Sequence, residues 1–208
     1  MNDPSAKAEY LDERALDTDP IKQFQRWFDE ALAATPKLPE AMTLATTTKE
    51  GRPSARMVLL KHVDNQGFVF YTNYNSRKGK ELAGNAVGAL LFYWTELDRQ
   101  VRIEGTISKV SAKESDAYFQ TRPRDTQLGA LVSSQSEVIS NRAELDRRFA
   151  ELEQQYIGHP IPRPAHWGGY RLKPNSIEFW QQGRSRLHDR ILYQLQEDGD
   201  WTMKRLAP

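Results

Sequence analysis

The sequence contains no cysteine. That excludes disulfides, thiolate zinc sites and cysteine nucleophiles together, so any redox chemistry would need a bound cofactor to carry the electrons. Long apolar runs are missing as well: nothing approaches the roughly 18–20 residues needed to cross a bilayer. The opening stretch MNDPSAKAEYLDERALDTDP is polar and lacks the basic-then-apolar order of a signal peptide, which makes the cytoplasm the expected compartment. Charge of one sign is scarce: 29 Lys and Arg face 28 Asp and Glu, a formal +1. Bulk electrostatics therefore favour neither nucleic acid nor membrane as a partner, and any basic site must be local. Neither GxGxxG nor a Walker A loop occurs. His62, His159, His166 and His188 show no HxH or HExxH spacing, so no metal is expected. Ser133 to Ser136 do not form a GxSxG elbow.

What remains is a chain of 208 residues, 38% hydrophobic and 27% charged, enough for one sizeable soluble domain. Residues 1–19 suggest a mobile arm. After Asp19 and Pro20, the apolar residues Ile21, Phe24, Trp27, Phe28, Ala31 and Leu32 recur at helical spacing as far as Pro36. The period then shortens. AMTLATTT (41–48), SARMVLLKH (54–62), GFVFYTN (67–73), VGALLFYW (87–94) and RQVRIEGTISKV (99–110) are β-branched or aromatic runs separated by short polar connectors, the mark of antiparallel hairpins. Ser111 with Glu114 opens a helix through about Gln120, another follows Arg124 and Asp125, and a third runs from Asn141 to Tyr156. Strands return near 168–173, 176–181, 188–196 and 200–205. This order predicts a mainly β fold, a small antiparallel barrel with helices packed outside, in a single domain over 20–208.

Four basic clusters stand out. Ser76 is a good N-cap that places Arg77 and Lys78 in a first helical turn, where cations oppose the helix dipole unless an anion binds there; a solvated surface helix is the alternative. Arg56 and Lys61 flank Met57, Val58, Leu59 and Leu60 in a strand expected to be buried on both sides, and their separation puts them on opposite faces. They could serve a pocket mouth or merely snorkel. If extended, Arg184, Arg186, His188 and Arg190 share one face, which needs an anion or a carboxylate between them, unless they guard an edge strand. Arg122 and Arg124 follow Tyr118 at a helix end; arginine suits phosphate, but a helix-ending turn with its own Arg–Asp pair is equally served. Together the clusters point to two phosphorylated small molecules, or one dinucleotide, in a barrel cleft.

At these same residues the chain resembles the pyridoxine/pyridoxamine 5′-phosphate oxidase family. The likeness is carried by RMVLLKH (56–62), FYTN (70–73), SRKGKEL (76–82), RQVRIEG (99–105), YFQTRPRDTQLGALVSSQS (118–136), IEFWQ (177–181), RLHDR (186–190) and the terminal RLAP, and runs from about Asp19 to the end. The resemblance implies a Greek-key, FMN-binding split β-barrel, assembled as a homodimer with each flavin between subunits. It implies that Arg56, Arg77, Lys78 and Ser136 hold the FMN phosphate. The run Met57, Val58, Leu59, Leu60 and Lys61, together with Tyr71, Thr72, Gln100, Gln135, Trp180 and Arg190, would line the rest of the flavin. Lys61, Tyr118, Arg122 and Thr126 would take the substrate phosphate, and Arg186, Leu187 and His188 would cover the substrate ring, with Arg186 and His188 as the catalytic pair. The reaction implied is oxidation of pyridoxamine or pyridoxine 5′-phosphate by O2 to pyridoxal 5′-phosphate, with hydrogen peroxide, and ammonia from the amine.

Two departures from the family pattern matter. Thr126 stands where a serine is common, and the hydroxyl survives. The N-terminal segment SAKAEYLDERAL keeps Tyr10, a further substrate-contact candidate, but lacks the paired arginines expected before it. Two rival functions share the fold: a flavin oxidase of phenazine-type aromatics and a non-catalytic flavin carrier. Neither has a use for a second anion site made by Lys61, Tyr118 and Arg122.

Overall fold

The computed structural model describes residues 10–34 and 37–208. Among them, nine strands form one antiparallel sheet: β1 (Ala41–Thr47), β2 (Pro53–Leu59), β3 (His62–Asp64), β4 (Gly67–Asn73), β5 (Val87–Trp94), β6 (Arg99–Lys109), β7 (Trp167–Gln181), β8 (Asp189–Leu195) and β9 (Trp201–Arg205). The helices are α1 (Pro20–Ala34), α2 (Arg77–Gly84), α3 (Ala112–Thr121), α4 (Arg124–Val132) and α5 (Arg142–Gln155). The strand order β2-β1-β5-β6-β7-β4-β3 brings the last strand back to the first, because β3 continues the chain from β2. At the junction the hydrogen-bond partner switches: Leu60 N–H donates to Glu40 O (2.9 Å), and Lys61 N–H donates to Val69 O (2.8 Å). That switch closes the barrel.

The run expected as one strand over 54–62 is therefore two pieces. It is also not buried on both sides. Along β2 burial alternates, with Met57 62% exposed while Leu60 is in the core. One face of β2 looks into the barrel beside Met42 and Leu44, its register neighbours of Val58 and Arg56; the other is open.

β7 corrects a second expectation. Two strands were foreseen around Pro174, yet the strand runs unbroken from Trp167 to Gln181. One edge pairs with β6 throughout; the other pairs with β4 through Leu172 and with β8 from Ser176. Pro174 sits in the gap where neither β4 nor β8 is bonded, so its missing N–H breaks no ladder on that side. Opposite it the β6 register shifts between Glu104 and Gly105, and a Cβ on Gly105 would lie 2.0 Å from Lys173 O. The barrel splits at this point.

The main core fills the barrel with Phe68, Phe70, Leu90, Phe92, Val101, Ile103, Ile177 and Phe179, capped by Phe24 and Trp27 of α1. A smaller core gathers Phe119, Leu128, Ile161 and Trp167 where α3 and α4 meet the start of β7. The cap foreseen at Ser111 forms, accepting from Glu114 N–H (3.0 Å), and Asn141, expected only as the start of its helix, caps α5 by accepting from Glu144 N–H (3.0 Å). The arm expected to be mobile is docked from Leu11 onward. Leu11 is buried, its N–H donates to Asp189 (3.2 Å), and Tyr193 Oη donates to Asp17 O (2.7 Å). Residues 1–9 and Pro36 lie outside the described residues. No helix among the described residues is long and apolar enough to cross a membrane.

Candidate functional site

Between the barrel wall and the smaller core lies a cavity of about 500 Å³. Its lining includes Met57, Val58, Leu59 and Lys61 from the β2–β3 strand, Tyr71 and Thr72 from β4, Lys78 from α2, Tyr118, Arg122 and Thr126 from the α3–α4 corner, and Gln135. Eleven residues expected from sequence thus meet in one place. Leu60 does not join them, because its side chain has the opposite parity to Lys61 and fills the core.

At one end sits Lys78. Ser76 caps α2 by accepting from Gly79 N–H (3.3 Å), which turns Lys78 inward on the first turn. Lys78 is 8% exposed, and its ammonium donates to Thr72 Oγ1 (3.2 Å) and Gln135 Oε1 (3.1 Å), both neutral acceptors. Burial, and then the Arg56 charge, push its pKa below the ordinary lysine value. A buried cation bonded to neutral groups and facing a cavity is a natural seat for an anion.

Arg56 and Arg77 do not line the cavity; both are engaged by Glu81, one turn along α2 from Arg77. Glu81 Oε2 accepts from Thr46 Oγ1 (2.5 Å), Ser54 Oγ (2.7 Å) and Arg56 Nη2 (3.2 Å), while its Oε1 accepts from Arg77 Nε (2.9 Å). Burial alone would raise the Glu81 pKa. The Ser54, Thr46 and Arg77 hydrogen bonds with the Arg56 charge overcome that and lower it to about 2. Sequence reasoning passed over Glu81, although its i,i+4 spacing from Arg77 was a usable signal.

At the other end, Arg122 lies over the rings of Trp167 (4.6 Å) and Phe119 (5.7 Å). Burial pushes its pKa down, with Tyr118 beside it acting the other way. Its Nη1 is buried with no hydrogen-bond partner, a donor left for a ligand to satisfy. Tyr71 stacks on Tyr118 (3.9 Å, 17°) and lies nearly parallel to Trp167 (5.4 Å, 13°). Burial lifts the Tyr71 phenol to about 12, so it stays a neutral donor. Trp167 was not among the residues expected at the site; nothing in its local pattern reveals the ring contacts that only the fold creates. Ser136 follows Gln135 in a left-handed conformation (φ 74) but does not line the cavity.

The remaining candidates assemble elsewhere. Gln100, Trp180 and Arg190 are register partners across β6, β7 and β8, so they form one row on the outer face of the sheet, continuous with Tyr93 of β5. From Trp167 at the cavity to Trp180 is thirteen residues along β7, up to about 43 Å on an extended strand. Arg190 is held by Glu178 (2.8 Å) and Ala207 O (3.0 Å). Its neighbouring segment is not the extended strand considered from sequence: Arg184–Arg186 form a tight turn with Ser185 and Arg186 at positive φ (56 and 64). The turn folds over Gly183, where a Cβ would lie 2.0 Å from Leu187 O. The four basic side chains therefore do not share a strand face. Gly183 N–H donates to His188 Nδ1 (3.2 Å), which leaves Nε2 to carry the proton of the neutral ring. The His188 ring sits 4.7 Å from Trp180. Leu187 is exposed, and so is Tyr10, at 75%; neither reaches the cavity.

Comparison with known proteins places this arrangement. A family model described as pyridoxamine 5′-phosphate oxidase matches residues 28–156, and one described as the pyridoxine 5′-phosphate oxidase C-terminal dimerisation region matches residues 167–208. The chain is 57% identical over 200 residues to the pyridoxine/pyridoxamine 5′-phosphate oxidase of Trichormus variabilis, covering 96% of this chain and 94% of that protein. Against the enzyme of the same name from Rubrobacter xylanophilus the identity is 59% over 198 residues, covering 95% and 91%. Among solved structures, PhzG from Burkholderia lata, in complex with tetrahydrophenazine-1-carboxylic acid, superposes with a TM-score of 0.91 at 32% identity over 97% of this chain and 98% of that one. A pyridoxamine 5′-phosphate oxidase-related, FMN binding protein from Nostoc punctiforme shares the fold, with a TM-score of 0.71 at 15% identity over 89% and 97%. By the family match and by these relatives, the chain belongs to the pyridoxine/pyridoxamine 5′-phosphate oxidase family, built on that family's split barrel.

Proposed function

We propose that this chain oxidises pyridoxamine 5′-phosphate and pyridoxine 5′-phosphate to pyridoxal 5′-phosphate with bound FMN, O2 being the final acceptor. The observation that carries this is the pairing, in one cavity, of two separately built anion seats: buried Lys78 with Thr72 and Gln135, and Arg122 with Lys61, Tyr118 and Thr126. A flavin mononucleotide and a phosphorylated substrate need both. A phenazine-type substrate, for which the PhzG likeness speaks, leaves the Arg122 end without a phosphate to bind.

The residues fit FMN. Lys78 would meet its phosphate, with Arg56 and Arg77 behind, and Val58, Tyr71, Thr72 and Gln135 would border the ring. FMN supplies a two-electron acceptor that O2 regenerates with release of hydrogen peroxide. The protein's own contribution is placement. Lys61, Arg122 and the hydroxyls of Tyr118 and Thr126 fix the substrate phosphate, which orients the rest of a rigid pyridine. Water is kept from one side by the Tyr71, Tyr118 and Trp167 rings. For the amine substrate, loss of two electrons and two protons at the C4′–N bond leaves an imine, whose hydrolysis gives aldehyde and ammonia.

Arg186 and His188 reach this chemistry if a second copy brings them. Met57 borders both the cavity and a neighbouring apolar groove with Leu38, Leu91 and Tyr93. That groove lies on the same outer face as the Gln100–Trp180–Arg190 row. In a two-fold homodimer packed through this face, each cavity receives the partner's row and its 184–188 turn. His188 Nε2–H then offers a proton at the substrate ring, and Arg186 a cation.

The test is an aerobic assay of the FMN-loaded protein with pyridoxamine 5′-phosphate, following aldehyde and peroxide together. Equal yields that depend on FMN are expected. Flavin binding without either product from either phosphorylated substrate would overturn the assignment in favour of a phenazine-type oxidase or a carrier.

A further inference from the structure

Glu81 touches neither the cavity nor any expected ligand, yet it is a buried carboxylate with four donors on it. Its position is set by three elements at once. Thr46 and Ser54 face each other across β1 and β2 and both donate to Oε2; Arg77 holds Oε1 from the same helix, and Arg56 reaches in from β2. Arg56 itself has further anchors at Leu44 O (3.2 Å) and Thr46 Oγ1 (2.5 Å), and a contact with Ser54. The same hydroxyls therefore serve both the arginine and the glutamate, forming one closed network.

Two consequences follow from the charges. Arg56 lies close enough to Lys78 to depress its pKa, so the two cations repel across the end of α2. A carboxylate between Arg56 and Arg77 relieves that repulsion without touching Lys78, whose own acceptors, on Thr72, Ser76 and Gln135, are neutral. Three cations against one carboxylate leave a surplus of two positive charges, which matches a terminal phosphomonoester near neutral pH, about −1.5 to −2. Bonds to Glu81 also fix the guanidinium planes before any ligand arrives, which lowers the ordering cost of binding.

We propose that Glu81 is the positioning residue of the flavin phosphate site: it holds Arg56 and Arg77 in place and sets the net charge of the cradle to that of a phosphate dianion. The inference rests on the FMN reading above and deepens it. Removing the Glu81 charge has two opposed effects. The surplus positive charge rises, which by itself tightens phosphate binding, and Arg56 loses its anchor, which weakens it. Because Arg56 is mostly buried and its other partners are neutral, loss of the anchor dominates.

The experiment titrates the full chain with FMN and, separately, with riboflavin, which lacks the phosphate, following flavin fluorescence. In Glu81→Gln, FMN binding is expected to weaken about tenfold or more, as for a lost charge-assisted contact, while riboflavin binding stays within about twofold. Glu81→Asp keeps the charge but withdraws it by one methylene; it should also weaken FMN binding, whereas a role as mere counter-charge leaves it at the wild-type value. Should Glu81→Gln fold poorly by circular dichroism, Ser54→Ala removes one shared hydroxyl from the network, with an expected loss of about threefold. Unchanged or tighter FMN binding in folded variants overturns the proposal. Failure of the wild-type chain to bind FMN at all would instead strike at the FMN reading, so the two failures are distinguishable.

Discussion

The two ends of β7 carry opposite kinds of surface. At the Trp167 end, cations are drawn into the wall of a cavity, with Lys78 buried on Gln135 and Arg122 half-buried over Trp167. At the Trp180 end, the basic residues ride a turn with two consecutive non-glycine residues at positive φ, and Leu187 is exposed. Holding such residues left-handed costs on the order of 1–2 kcal/mol each, a cost with no visible return within one chain. The contrast teaches that the first end is a finished pocket and the second a presented surface. One strand supports both, as the proposed sharing of each site between two chains requires.

Substitutions sharpen that comparison. The largest effect is expected at the presented surface: Arg186→Ala should lower turnover by about a hundredfold while FMN affinity hardly changes, and wild-type kinetics would remove it from the reaction. In the finished pocket, Lys78→Ala should weaken FMN by about thirtyfold, the loss of a charge-assisted hydrogen bond; undiminished flavin retention on gel filtration would contradict its assignment. Trp167→Leu withdraws the ring beneath Arg122, so KM for pyridoxamine 5′-phosphate should rise about fivefold with kcat retained. A fall in kcat at constant KM would place the ring in the chemistry instead.

The smallest effect appears only in acid. The pKa of Glu81 is lower in the folded chain (about 2, against an ordinary 4.5), so its contribution to stability is complete above about pH 4.5 and is lost as pH falls toward 2. Urea midpoints measured from pH 5 downward should fall more steeply for the wild type than for Glu81→Gln. Parallel slopes would mean that the carboxylate is not held as described.

Much of this was legible before any coordinates. The helical stripe of α1, the runs that became β4, β5 and β6, and the caps at Ser76 and Ser111 are local features, and local physics decides them. Most cavity residues were named through the family resemblance, which its short contiguous motifs carry: Met57, Val58, Leu59 and Lys61, Tyr71 and Thr72, and Tyr118, Arg122 and Thr126. What stayed hidden depends on distant partners. Pro174 reads as a strand break until β4 and β8 are seen to leave it a gap. Leu60 looks like its neighbours until the bond switch at Lys61 turns it into the core. Arg184 to Arg190 read as one basic strand face because no local signal announces a left-handed Ser185 and Arg186. Leu11 looked free because its partner, Asp189, lies 178 residues away.

The central claim is that one active site takes the cavity of one chain and the 184–190 segment of another. Co-expression of two disabled chains tests it most directly, one carrying Lys61→Ala with Arg122→Ala and the other Arg186→Ala. If sites form between chains, mixed dimers hold one intact site each, and random pairing restores about a quarter of wild-type activity. If activity stays at the level of the separate mutants although mixed dimers form, both sets of residues act within one chain, and the composite site is contradicted.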